Sequence, residues 1–182
     1  MKIIFLDRDG VINKYPGDTR YVTSKKEFEF LPGSIQGIRK LNENGFKIYV
    51  VSNQAGVSKG LYSQKDLDGI TGCMIKGLKK NNAFVDAVRY CTHINDDNCT
   101  CRKPKPGLLH NIVSEFNLDP KISFFVGDTF TDMKAARAFG AKSVLVLSGK
   151  EKISNRENWE FEPDYVFDNL LLAAYYLCEH RG

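Results

Sequence analysis

The residues best suited to chemistry fall in four short polar stretches, three following an apolar run and one lying beyond a cysteine-rich loop. The first is Asp7-Arg8-Asp9-Gly10, placed directly after Ile3-Ile4-Phe5-Leu6. Two carboxylates that close invite a divalent cation, or force one of them to keep a proton. Ser52-Asn53-Gln54, Arg102-Lys103 and the span Asp128 to Asp132 are the other three. An isolated Asp-x-Asp-Gly reads equally well as a polar turn after a core strand. Brought to one edge of one sheet, the four stretches hold what phosphoryl transfer needs. Carboxylates gather a hard cation such as Mg²⁺, which prefers oxygen ligands and keeps waters and a phosphate oxygen. Ser52, the Asn53 backbone N–H and Lys103 can hold the remaining phosphoryl oxygens. Asp7 can attack phosphorus, while Asp9 protonates the leaving oxygen and later deprotonates water.

A second cluster has different chemistry. Cys91-Thr92-His93 and Cys99-Thr100-Cys101 place three thiols and one imidazole within eleven residues. Cys₃His is a common structural Zn²⁺ set, and four protein ligands leave no open position for water. A disulfide is the alternative, disfavoured in a reducing compartment. Such a site would stiffen the loop that presents Arg102 and Lys103. Cys73 and Cys178 read as buried apolar thiols.

The elements that must position these groups alternate. Ile3 to Leu6 predicts a strand buried on both faces, and the runs Phe46 to Val51, Phe84 to Tyr90, Ile122 to Val126 and Ser143 to Leu147 predict four more. Tyr165 to Phe167 suits a short edge strand. Ser34 is placed to cap a helix carrying Ile35, Ile38 and Leu41 and ending near Gly45. Ser63 with Asp66 starts a helix reaching about Lys80 by a capping box. Further helices are expected over Pro106 to Phe116, Asp132 to Phe139 and Leu170 to Glu179, with a polar surface loop from Gly149 to Glu162. This alternation predicts a three-layer α/β fold with a mostly parallel sheet, whose ligands bind beyond the strand carboxyl ends. No repeat or linker divides residues 1–182, so one domain is expected.

Composition narrows the class. The 182 residues are 42% hydrophobic and 26% charged, ordinary for a globular protein. A formal net charge of +4 suits a small anionic substrate, and no basic run adds a case for nucleic acid. No apolar run reaches the length of a membrane span. The chain enters a strand almost at once, which argues against a signal peptide. A cytoplasmic monomer without membrane partners is the expectation.

The four stretches resemble the motifs of the haloacid dehalogenase (HAD) superfamily of phosphatases in order and spacing: Asp7-Arg8-Asp9-Gly10-Val11, Ser52-Asn53-Gln54, Lys103, and Gly127-Asp128 with Asp132. The resemblance implies a Rossmann-like core, with Asp7 as nucleophile and Asp9 as general acid and base. It implies Mg²⁺ on Asp7, the Asp9 carbonyl and Asp128, with Asp132 reaching the metal directly or through water. Ser52 and Lys103 would hold the phosphoryl group. The cysteine loop with Cys101-Arg102-Lys103-Pro104 resembles the subfamily of heptose bisphosphate 7-phosphatases, which serve nucleotide-activated heptose synthesis for surface polysaccharide. The histidinol-phosphate phosphatases share that loop and are the rival reading. An inactive zinc-stabilised binding module is a third. Tyr21-Val22 with Phe28-Glu29-Phe30, and Ser52-Asn53-Gln54-Ala55-Gly56-Val57 with Gly60, resemble the heptose enzymes' substrate loops. Arg20 stands where that pattern has Gly, and Lys59 where it has Arg. The short gaps between motifs leave no room for a cap domain, so loops must exclude water. A second phosphate would need its own anion site, for which Arg102 is the first candidate and Lys59 the second.

Overall fold

The computed structural model describes residues 2–180. Six strands form one sheet: β1 (Lys2–Leu6), β2 (Phe46–Asn53), β3 (Ala87–Cys91), β4 (Ser123–Gly127), β5 (Lys142–Val146) and β6 (Tyr165–Phe167). Their order is β3-β2-β1-β4-β5-β6 and every pairing is parallel. Four helices connect successive strands from β1 to β5, α1 (Ser34–Glu43), α2 (Gln64–Lys80), α3 (Gly107–Glu115) and α4 (Phe130–Phe139), and α5 (Leu170–Glu179) follows β6.

β1 shows why a continuous apolar run makes a central strand. Successive side chains point to opposite faces. Ile4 and Leu6 join a core with Ile38 and Leu41 of α1, Met74 and Leu78 of α2, and Ala173 and Leu177 of α5. Ile3 and Phe5 join the other core, with Leu109 and Ile112 of α3 and Ala135 and Ala136 of α4. Helices therefore cover both faces, giving the three layers expected. The strand order reverses direction between β1 and β4, and ligands of such sheets bind outside that switch point. Asp7 follows β1 there, and Asp128 follows β4.

Several boundaries differ from expectation for local reasons. Ser34 does not cap α1; Gly33 does, at φ 82°, while the Ser34 hydroxyl donates to the Leu31 carbonyl at 2.9 Å. α4 begins two residues before Asp132. Thr129 caps it, its side chain accepting from the Asp132 N–H while the Asp132 carboxylate accepts from the Thr129 N–H, a box readable as Thr-x-x-Asp. The third strand starts at Ala87 rather than Phe84; Phe84 is exposed, and the Asp86 carboxylate takes the Ile48 N–H at 2.8 Å just ahead of the ladder. β2 runs on to Asn53, paired with Cys91, so Ser52 and Asn53 sit on the strand itself. The span Gly149 to Glu162 contains a short 3₁₀ turn, Ile153–Asn158.

Candidate active site

A cleft of about 240 Å³ opens at the carboxyl edge of β1, β2 and β4. Its walls include Asp7, Asp9, Ser52, Asn53, Lys103 and Asp128. A larger hollow of about 470 Å³ lies by Ile75, Leu78 and Phe84, lined without a carboxylate, so the chemistry belongs to the smaller cleft.

Three carboxylates form its floor. Asp7, Asp128 and Asp132 are buried and offer oxygens within 4.8 Å of one another. Asp7 is fixed by the neighbouring strand and by the next residue: its N–H donates to the Val126 carbonyl of β4 at 2.9 Å, and its Oδ1 accepts the Arg8 N–H at 2.8 Å. Burial pushes the Asp7 carboxyl up to about 6, with Asp132 adding to the push and Lys103 opposing it. Burial, then Asp7 and Asp132, hold Asp128 well above the ordinary carboxylate range. Three anions at such separation call for a cation.

Lys103 supplies one positive charge. Its Nζ stands 2.6 Å from Asp132 Oδ1 and 3.0 Å from Asp7 Oδ1, and donates to the Val51 carbonyl at 3.0 Å. Burial weakens its charge, but Asp132 and Asp7 outweigh burial and hold it above the ordinary lysine value. Asn53 locks the Lys103 backbone, accepting its N–H at 3.1 Å and donating to its carbonyl at 3.0 Å.

The floor also fits a second cation. Asp132 Oδ2 is spent on Thr129, and its buried Oδ1 faces Lys103 Nζ at 2.6 Å. Asp128 Oδ2 takes only a backbone donor, the Lys150 N–H at 2.8 Å. Glycines seat these carboxylates: a Cβ on Gly10 or Gly149 would overlap the Asp128 carboxylate, and one on Gly127 would overlap Asp132. An all-oxygen donor set of this charge suits Mg²⁺.

Asp9 sits beside this floor, cradled by donors. Arg8 reaches it from Nη2 at 3.0 Å and Nε at 3.2 Å, Asn13 Nδ2 at 2.8 Å and Gln54 Nε2 at 2.9 Å. The side chain of Arg8 is completely buried. Gln54 is also fully buried, and it does not line the cleft. Its Oε1 accepts from Arg8 and from Tyr62, at 2.7 Å for the latter, and its Nε2 also donates to Ser52 Oγ at 3.2 Å. Gln54 therefore orients Asp9 and Ser52. Burial pushes the Tyr62 phenol up to about 12, keeping it a donor to that amide.

The thiol–imidazole cluster also assembles. Cys91, His93, Cys99 and Cys101 bring their ligand atoms within 4.8 Å of one another. Sulfur separations are 3.3 to 3.7 Å, too long for disulfides and close to the edge of a tetrahedron with Zn–S bonds of about 2.3 Å. His93 presents Nδ1, 3.2 Å from Cys101 Sγ and 3.6 Å from Cys91 Sγ. The donor set fits Zn²⁺. The same loop anchors Arg102, whose Nε donates to Asn95 at 2.7 Å and Nη1 to the His93 carbonyl at 3.2 Å.

Of the remaining expected residues, Tyr21 and Arg102 line the cleft and Lys59 does not. Lys59 Nζ instead donates to the Tyr21 hydroxyl at 3.0 Å. Sequence reasoning gave no role to Arg8, Tyr62, Arg20, Lys150 or the seating glycines Gly10, Gly127 and Gly149. Arg8, Gly10 and Gly127 stood within the motifs and Arg20 departed from the usual glycine, whereas Tyr62, Lys150 and Gly149 carried no signal.

The parallel sheet, its switch-point carboxylates and the lysine between them define a HAD-like hydrolase. A family model described as HAD-hyrolase-like matches residues 100–173. The chain is 34% identical to the D-glycero-beta-D-manno-heptose-1,7-bisphosphate 7-phosphatase of Neisseria meningitidis serogroup A, covering 100% of this chain and 97% of that protein. It is 36% identical to the Pseudomonas putida protein of that name, covering 96% and 98%. The D,D-heptose 1,7-bisphosphate phosphatase of B. bronchiseptica, solved with magnesium and phosphate, superposes with a TM-score of 0.91 at 34% identity, covering 98% of this chain and 99% of that one. The chain belongs to the family of heptose-1,7-bisphosphate 7-phosphatases. Among the described residues, no helix is long and apolar enough to cross a membrane.

Proposed function

We propose that this protein is a Mg²⁺-dependent phosphatase that removes the 7-phosphate of D-glycero-β-D-manno-heptose 1,7-bisphosphate. The observation that carries the reading is the placement of Asp7 between Lys103 Nζ, at 3.0 Å, and the buried carboxylates Asp128 and Asp132. The names of the relatives supply the sugar, its anomer and the position cut.

Asp7, Asp128 and Asp132 are the side chains that would hold Mg²⁺, and the Asp9 carbonyl is the backbone candidate. Bound there, the ion would neutralise the phosphoryl oxygens and the nucleophile's own charge. A carboxylate oxygen of Asp7 attacks phosphorus, and the bond from phosphorus to the sugar oxygen breaks. Asp9 gives a proton to that oxygen. Water then attacks the aspartyl-phosphate, returns a proton to Asp9, and frees Asp7 and inorganic phosphate. Ser52 and Lys103 hold the phosphoryl oxygens as charge builds on them. The Cys91–His93–Cys99–Cys101 set would hold Zn²⁺ as a structural ion and keep Arg102 and Lys103 in place.

The rival substrate, histidinol phosphate, ends in an amine rather than a second phosphate. A cleft wall carrying Arg20, Arg102 and Lys150 favours the bisphosphate. The test is Mg²⁺-dependent phosphate release from both anomers of the heptose bisphosphate and from histidinol phosphate, with Asp7→Asn as control. Preference for the β anomer, lost in Asp7→Asn, is expected. Preference for histidinol phosphate would transfer the protein to that reaction. No turnover of any of them would leave the inactive binding module as the reading.

A further inference from the structure

The cleft divides by charge. Its floor holds the carboxylates and Lys103, whereas its outer wall draws cations from three separate loops. Arg20 comes from the loop after β1, Arg102 from the cysteine loop, and Lys150 from the loop after β5. Among the described residues nothing pairs with the Arg20 guanidinium, although it lines the cleft. Arg102 is fixed through Nε and Nη1, which leaves its Nη2 uncommitted. Lys150 Nζ meets Asp18 Oδ1 at 2.7 Å, and the same oxygen accepts the Tyr15 hydroxyl at 2.7 Å.

We propose that Arg20 and Lys150 form, with Arg102, the seat of the substrate's distal phosphate, and that Asp18 occupies this seat as an internal anion which the phosphate displaces. The proposal rests on the bisphosphatase reading above and names the residues that would tell a bisphosphate from a monophosphate. Asp18 is surrounded as a phosphate oxygen would be, by an ammonium and a phenol. Both partners of the Asp18–Lys150 pair are largely exposed, and such pairs are weakly held. A phosphate, with more charge and three acceptor oxygens, is the stronger partner for the same donors, and arginine binds it through a fork. The exchange need not disturb the floor. The Lys150 backbone N–H stays on Asp128 while only its side chain changes partner. Lys59, a candidate from sequence, is turned to Tyr21 instead.

The test compares kcat and KM for heptose 1,7-bisphosphate and heptose 7-phosphate. In Arg20→Ala, the ratio of kcat/KM for the bisphosphate over the monophosphate is expected to fall about tenfold, through KM rather than kcat. Asp18→Asn is expected to lower KM for the bisphosphate about threefold. Equal losses on both substrates in Arg20→Ala, or a raised bisphosphate KM in Asp18→Asn, would overturn the proposal. Failure of the underlying reading shows separately, as no turnover of the heptose bisphosphate by the unaltered protein. The seat is then read by calorimetry on Asp7→Asn, with fructose 1,6-bisphosphate and fructose 6-phosphate as probes. Tighter binding of the bisphosphate that disappears in Arg20→Ala supports the seat, and equal binding of the two probes overturns it.

Discussion

Two clusters in this molecule could each hold a metal ion, and they are built in opposite ways. Asp7, Asp128 and Asp132 are buried at the ends of β1 and β4 and the start of α4. Backbone hydrogen bonds fix them: the Arg8 N–H on Asp7, the Lys150 N–H on Asp128 and the Thr129 N–H on Asp132. Cys91, His93, Cys99 and Cys101 instead hold one another, on a loop where only Cys91 belongs to a strand and is buried. The carboxylate floor is preorganised by the sheet, so its energetic problem is repulsion, which an ion relieves. The thiol–imidazole loop has little scaffold of its own, so its problem is order, which an ion would also supply. Lys103 ties the two together, carried by the loop and anchored in the floor.

The largest break in this contrast comes from the floor. Asp7→Asn should lower kcat by more than about 10³-fold, roughly 4 kcal/mol of barrier, while leaving the fold intact and, without Mg²⁺ near neutral pH, raising the thermal midpoint because one of three crowded carboxylates is gone. Steady-state kinetics and circular dichroism check both halves. Gly149→Ala comes next. A methyl group there overlaps the Asp128 carboxylate, so kcat should fall about 10²-fold even though no ionisable group is removed.

That second prediction could not have come from sequence. The runs Ile3 to Leu6 and Phe46 to Val51 announced a buried parallel sheet, because such strands are apolar on both faces. Asp7, Asp9, Ser52 and Asp128 were legible because each follows an apolar run, and Lys103 because it follows the cysteine loop. The cysteines were legible because four metal-ligand residues within eleven positions are rare in a core. Gly149 lay in a stretch read as surface loop, since nothing local reveals that the chain folds back onto Asp128. Arg8 escaped for a similar reason. A charged residue after a strand reads as solvated, and only the fold shows that Asp9, Gln54 and the Tyr90 ring enclose it. The resemblance puts Gln54 with Ser52 and Asn53 on the substrate side, but the chain turns it inward to Tyr62.

Cys99→Ser sharpens the comparison from the other cluster. It should lower zinc content and the thermal midpoint, and reduce kcat about tenfold through looser placement of Lys103, with a smaller effect on Mg²⁺ affinity. Metal analysis, thermal melts and Mg²⁺ titration of the rate separate these effects. An equal loss of Mg²⁺ affinity would mean the clusters are not distinct.

The smallest effect is in the pH dependence of stability. Burial raises Asp7 from 3.8 to about 6, and raises Asp128 in the same direction. Without Mg²⁺, the folded protein retains protons that the unfolded chain has lost. Stability contributed by these groups therefore falls as pH rises from about 4 to about 6. Mg²⁺ takes the charged form, so the gain in thermal midpoint on adding it should grow across that window, by on the order of 5 °C. Melts at several pH values, with and without Mg²⁺, check the sign.

The most direct measurement is acid-quenched mass spectrometry of the enzyme turning over heptose 1,7-bisphosphate with Mg²⁺. A phosphoryl group on Asp7, absent from Asp7→Asn, is the predicted result. Full turnover without phosphorylation of Asp7, or turnover retained in Asp7→Asn, would contradict a mechanism centred on that residue.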